Sequence, residues 1–233
     1  MAYPNVPFWS ALRDGLQIEI DDTPYVLRVV DCGTLRAPHG RLVACDPFVT
    51  LERDGNAFVP IPPGEYRVFV TVADVSGKGD GSHLREAYAT VVLRDGEEAT
   101  RRIITPLFDG VADPEMTEDG FYSGIGVDSG TACFVDGGAL QDGMPPQSGW
   151  EQLFDDGSAE SWFSRMDDPA HIREGLANIV LPNAKHGENI IIIHSGWGDG
   201  AYPVIGGYDE GGNLIRVHID FQVVFREDVE DGE

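Results

Sequence analysis

The chain has 233 residues, 42% of them hydrophobic, which is enough to bury a sizeable core near the upper size of one domain. Against 16 Lys plus Arg stand 40 Asp plus Glu, a formal net charge of -24, so the general field repels phosphate backbones and anionic lipid and excludes direct nucleic-acid binding. No stretch approaches the roughly 18 apolar residues of a membrane span, the longest aliphatic run being Ile190 to Ile193.

The opening MAYPNVPFWSALRDG lacks a cationic segment followed by an apolar one, so no signal peptide is expected and the protein reads as soluble and cytoplasmic. Residues 7–13 predict one short helical turn ahead of Asp14-Gly15, with its apolar side chains on a sheet. Strand patterns follow at 16–20, 24–32, 41–45, 64–74, 86–94, 126–135, 189–194, 202–207 and 213–225, separated by Gly- and Pro-containing turns. Tyr66, Val68, Val70 and Val72 share one strand face because side chains alternate with period two. The run from Tyr208 to Asn213, rich in Gly and Asp, joins the last two patterns as a hairpin. Helical signals concentrate near 148–168. There Ser148 and Glu151 have capping-box spacing, Trp150, Leu153 and Phe154 form one stripe, and Trp162, Phe163 and Met166 form another.

These elements predict a mainly β fold, an antiparallel sandwich-like or strongly curved sheet with a small helical insertion. The organisation expected is one β-rich domain over residues 1–233, with the insertion near 148–168 and an acidic tail near 226–233.

Motifs for chemistry are sparse. Gly196, Gly198 and Ala201 match the G-x-G-x-x-A spacing of dinucleotide sites, with Asp220 about 20 residues on, but that motif needs a long helix where Pro203 and the Gly206-Gly207 pair stand. The six histidines form no zinc template; His218 reads as a histidine hydrogen-bonded at a sheet surface. His194 and Ser195 are neighbours on one strand and point to opposite faces, which disfavours a nucleophile pair. Cys32, Cys45 and Cys133 lack metal or redox spacing and read as reduced, buried thiols, with a Cys32–Cys45 disulfide left open. Asp46, Asp128, Asp136 and Asp199 stand at strand edges beside Gly or Pro, where each either closes a turn or converges with the others on a pocket. Trp197, between Gly196 and Gly198, is expected to plug the core rather than to cover a ligand, with Tyr202 also buried.

Four blocks resemble the bacterial family catalogued as domain of unknown function 4241: residues 39–47, 62–66, 126–136, and 195–204 together with Asp220-Phe221. The resemblance implies a domain without assigning a reaction or cofactor, and it marks Asp46, Asp128 to Asp136 and Gly196 to Tyr202 as one shared feature. The expectation is a non-catalytic cytosolic binding or accessory protein, of immunity type, with an acidic surface that meets a basic protein partner and requires no cofactor or metal. The alternative is an enzyme that binds a small ligand or divalent cation. Candidate ligand-binding residues are Asp46, Asp128, Asp136, His194, Trp197, Asp199 and Tyr202.

Overall fold

A computed structural model describes residues 9–52, 55–108, 111–112 and 124–224. Pro7 and Phe8 of the first expected turn, Phe225 and the acidic tail near 226–233 lie outside the described residues. The larger antiparallel sheet runs in the order β1 (Gln17–Ile20), β2 (Thr23–Ala37), β5 (Gly64–Asp74), β6 (Leu84–Val92), β15 (Leu214–Asp220), β14 (Gly200–Tyr208) and β10 (Gly124–Val127). The strand β7 (Thr100–Ile103) also pairs with β14. A smaller sheet has the order β12 (Leu176–Val180), β13 (Asn189–His194), β11 (Thr131–Asp136), β3 (Arg41–Cys45) and β4 (Val59–Pro60). β8 (Leu107–Phe108) and β9 (Val111–Ala112) make a short ladder of their own. Among the described residues three short helices complete the fold: α1 (Gly137–Gly143), α2 (Trp150–Phe154) and α3 (Trp162–Asp167).

The arrangement is a three-layer stack, and the side chains of the smaller sheet show why. Leu42, Ala44, Ala132, Phe134, Ile191 and Ile193 pack towards the larger sheet, against residues such as Leu27, Val70 and Val217. Their neighbours Val43, Cys133, Val135, Ile190 and Ile192 pack the other way, against Leu140, Trp150, Trp162 and Met166 of the helices. A strand covered on both faces has no solvent side, so Ile190 to Ile193 form an unbroken apolar run and all are fully buried. β5 reports the opposite case: Tyr66, Val68, Val70 and Val72 are buried, while Glu65 and Arg67 are exposed.

The larger sheet is curled by irregular register at Asp31/Thr34, Thr71/Val72 and Gly207/Tyr208. β2 also runs past the end of β1, and two asparagines of the smaller sheet meet backbone groups on that open edge. Asn178 Nδ2 donates to Cys32 O at 2.8 Å, Asn189 Nδ2 donates to Thr34 O at 2.8 Å, and Arg36 N donates to Asn189 Oδ1 at 2.9 Å. The sheets are therefore joined by apolar burial and by a polar tie that satisfies otherwise unpaired groups.

Several expectations are corrected here. The 126–135 pattern is two strands in different sheets, split at Asp128 to Gly130, where Gly130 has φ +66°. Residues 9–13 form no helix: Leu12 takes φ 63° and its amide donates to Thr71 Oγ1, though Trp9 does pack on Tyr88 and His218. No Ser148–Glu151 capping box forms, because Ser148 sits inside a 3-10 turn and Gly149 precedes α2 without a side-chain cap. Ser161, whose Oγ accepts from Ser164 N, caps α3 instead. α1 was not expected.

If both faces of the smaller sheet are packed, Ile191→Ala and Ile192→Ala should each destabilise by about 2–5 kcal/mol in urea melts. Val180→Ala, at a side chain 59% exposed, should stay within about 0.5 kcal/mol of wild type. A silent Ile192→Ala would contradict the outer layer.

Candidate functional site

Asp46 follows directly on β3, is fully buried, and is saturated by donors from two loops. Its Oδ1 accepts from Phe48 N at 2.9 Å, Val49 N at 3.2 Å and Ser129 Oγ at 2.7 Å. Its Oδ2 accepts from Asp128 N at 2.9 Å and Ser129 N at 2.8 Å. A buried carboxylate without such donors would cost several kcal/mol, so the five bonds both hold the charge and fix the turn between β10 and β11.

That turn in turn holds a third loop. Asp199 Oδ1 accepts from Gly130 N at 2.9 Å, and Ser195 N donates to Gly130 O at 3.0 Å. Within residues 195–199 the carbonyl of Gly198 receives two hydroxyls, Ser195 Oγ at 2.6 Å and Tyr202 Oη at 2.7 Å. Gly196, at φ +64°, lies against Val223 and the backbone of Glu86, and Gly198 takes φ +108°. Tyr202 is buried with its ring edge-on to Phe221, and burial raises its phenol pKa.

Trp197 is not a plug. It is 54% exposed, its ring is faced by the Arg85 guanidinium at 5.2 Å, and the edge-on His83 ring lies 6.1 Å away. The expectation fails because the core behind this loop is already filled by Tyr202, Phe221 and Val223, leaving the indole outside. Val49, on the first loop, is also 54% exposed, and the Asp128 and Asp199 residues are exposed. The three loops thus form one end of the molecule, where the indole lies beside Arg85 and His83 and the exposed Asp128 and Asp199 stand on the same loops.

The remaining candidates divide. Asp136 is at the opposite end of the β3–β11 ladder, where it caps α1 through Ala139 N and accepts from His39 N, Arg41 N and His39 Nδ1. His194 is half-buried with its ring against Gly175, and burial and the charge of Arg173 lower its pKa. Ser195 Oγ donates to Gly198 O rather than to His194, and residues 200–208 form a strand where a dinucleotide motif needs a helix. Among the described residues no group of three His, Cys, Asp or Glu side chains is placed to hold a metal.

A second cluster was missed by sequence reasoning. Glu98, with a side chain 6% exposed, accepts from Arg101 Nε at 2.7 Å, Arg216 Nη1 at 3.1 Å and His218 Nε2 at 2.9 Å. A carboxylate can only accept here, so the His218 proton sits on Nε2 and Nδ1 accepts from Thr90 Oγ1 at 2.8 Å. His218 is fully buried, not on a sheet surface. Burial works to raise the Glu98 carboxyl, but the His218 hydrogen bond, the charge of Arg101 and the Arg216 hydrogen bond outweigh it and hold its pKa at about 2. Burial lowers the His218 imidazole. Above the cluster, Arg101 lies over the Trp9 ring at 4.8 Å, and Trp9, Arg13, Glu97, Arg101 and Arg216 line a cleft of about 370 Å³. The available signals were Arg216 and His218 two apart on one strand face and Glu98 three residues before Arg101, neither of which reveals that they meet.

A family model described as "Protein of unknown function (DUF4241)" matches residues 35–219. No curated protein and no solved structure matches.

Alanine at Gly196 would place its Cβ 2.7 Å from Val223 Cγ2 and 2.9 Å from Glu86 O, whereas nothing lies within 4 Å of one at Gly198. Gly198→Ala should therefore cost about 1 kcal/mol from backbone strain alone, and Gly196→Ala measurably more, in thermal melts. Equal effects would contradict the packing behind this loop.

Acid stability tests the second cluster. Both pKa values are depressed in the folded state, so the stabilisation is complete above the ordinary values and is lost as pH falls, first below 6.5 through His218 and then from 4.5 towards about 2 through Glu98. Glu98→Gln should remove on the order of 2 kcal/mol at neutral pH and flatten the lower arm in denaturant melts across this range. A variant that keeps the wild-type profile would show that Glu98 carries none of it.

Proposed function

The chain belongs to the DUF4241 family of proteins of unknown function, and we propose that it is a non-catalytic binding or accessory protein that engages a basic protein partner through the Trp197 end. The observation that carries this reading is the exposed indole on a loop held by Asp199, Ser195 and Tyr202. A tryptophan fixed in advance loses little freedom on binding, and such anchors carry a large share of interface energy. The formal charge of -24 supports steering towards a cationic surface. All three cysteines are free thiols, which supports a cytoplasmic, reducing setting; an immunity-type role, in which a bacterial protein is neutralised by such an acidic surface, fits the same features.

Asp46 is saturated by protein donors and Asp136 lies at the far end of its ladder, which supports the binding reading over an enzyme built on four converging aspartates. The cleft at Arg13, Arg101 and Arg216 carries no second reading, since Glu97 and Glu98 line it too and Glu98 already holds Arg101 and Arg216.

Affinity capture from the cognate cell extract with wild type and Trp197→Ala tests the proposal. The proposal expects a basic protein whose capture weakens with salt and whose affinity falls about 30-fold or more in the variant. Partners indifferent to Trp197→Ala would overturn it.

A further inference from the structure

From the geometry of the smaller sheet we propose that Cys45 and Cys133 are a modification site, a thiol pair that a hydroperoxide converts to a reversible cross-strand disulfide. The two residues are direct partners in the antiparallel register of β3 and β11, and their Sγ atoms lie 3.8 Å apart. Directly opposed residues have Cβ atoms about 4.5–5.5 Å apart, close to the separation of about 3.5–4.5 Å that a disulfide spans. Side-chain rotation and a small strand shift bring the sulfurs to bonding distance. The sequence left a Cys32–Cys45 bond open; the fold instead places Cys32 on β2, in the other sheet, and Cys133 beside Cys45.

The two thiols are unequal, which assigns their roles. Both thiols are buried, Cys133 completely, whereas Cys45 keeps 9% exposure at the wall of a cleft of about 460 Å³ lined also by Thr50, Glu52, Asn56 and Gly124. Burial pushes the Cys133 thiol well above its ordinary pKa, and neighbouring Cys45 adds to the shift. Cys45 is therefore the attacking sulfur and Cys133 the resolving one.

The Cys45 thiolate attacks the terminal oxygen of the hydroperoxide; the O–O bond breaks and, with one proton, an alcohol leaves, or water when the oxidant is hydrogen peroxide. Cys45 is left as a sulfenic acid. The Cys133 sulfur then displaces the hydroxyl from the Cys45 sulfur, the S–O bond breaks, and the Cys133 proton leaves with it as water. The thiols together lose two electrons and two protons, and the hydroperoxide is reduced. Because Cys45 directly precedes Asp46, the new bond anchors the end of β3 from which the Asp46 loops are held.

The test is treatment of the folded, full-length protein with hydrogen peroxide, followed by alkylation and peptide mapping without reductant. The proposal expects a linked Cys45–Cys133 peptide, an alkylated Cys32, and loss of the link on adding dithiothreitol. In Cys133→Ala, dimedone should trap a sulfenic acid at Cys45; in Cys45→Ala, Cys133 should stay reduced. Circular dichroism establishes that each variant is folded, and if either is not, the wild-type map decides alone. Free Cys45 and Cys133 after treatment, a link through Cys32, or sulfinic acid at Cys45 without a link would each overturn the proposal.

Discussion

A single buried carboxylate, that of Asp46, holds together the end of the molecule where its exposed aromatic residue stands. Five donors converge on it, two from its own loop and three from residues 128 and 129. Removing a carboxylate from water is unfavourable unless its lone pairs are met, and here they are met almost wholly by backbone amides. The same bonds leave the turn after β10 no freedom to splay. Through Gly130 they reach Asp199 and Ser195, and hence the loop that carries Trp197. The surface is stiff because a charge beneath it demands donors.

The rest of the fold follows a similar division between apolar area and polar ties. The smaller sheet is buried on both faces, which links the two apolar clusters and also forbids any backbone group there from going unpaired. Asn178 and Asn189 close the sheet-to-sheet seam where β2 is irregular. Glu98 does for Arg101, Arg216 and His218 what Asp46 does for amides, gathering donors around one buried acid. In both places removing the acid strands several groups at once, so energies there are not additive.

How much of this the sequence reveals depends on whether a feature is local. β3, β5 and β13 are legible because alternation or an unbroken β-branched run defines a strand without reference to its partner. The hairpin between β14 and β15 is legible from its glycines. α1 is not, since Gly137-Gly138-Ala139 offers no apolar stripe and the helix depends on Asp136 as its cap. The split at Asp128 to Gly130 is hidden because Asp46, some eighty residues earlier in the chain, supplies the acceptor that stabilises the turn. Asp46 and Asp136 are legible as strand-edge residues, but whether each closes a turn or lines a pocket depends on donors far away in the chain, and the exposure of Trp197 depends on what fills the core behind it. The arginine cleft and the Cys45–Cys133 pair are consequences of strand order, which no local pattern encodes.

Amide hydrogen exchange of the native protein, followed by NMR at the amides of Asp128 and Ser129, tests the role of Asp46 most directly. These residues occupy an irregular turn, and the Asp128 residue is exposed, so without the carboxylate their amides would exchange as fast as those of other surface turns. If Asp46 holds the turn, both should exchange as slowly as the amides of β11, because release requires opening the core. Rapid exchange at Asp128 and Ser129 alongside protected β11 amides would contradict the account.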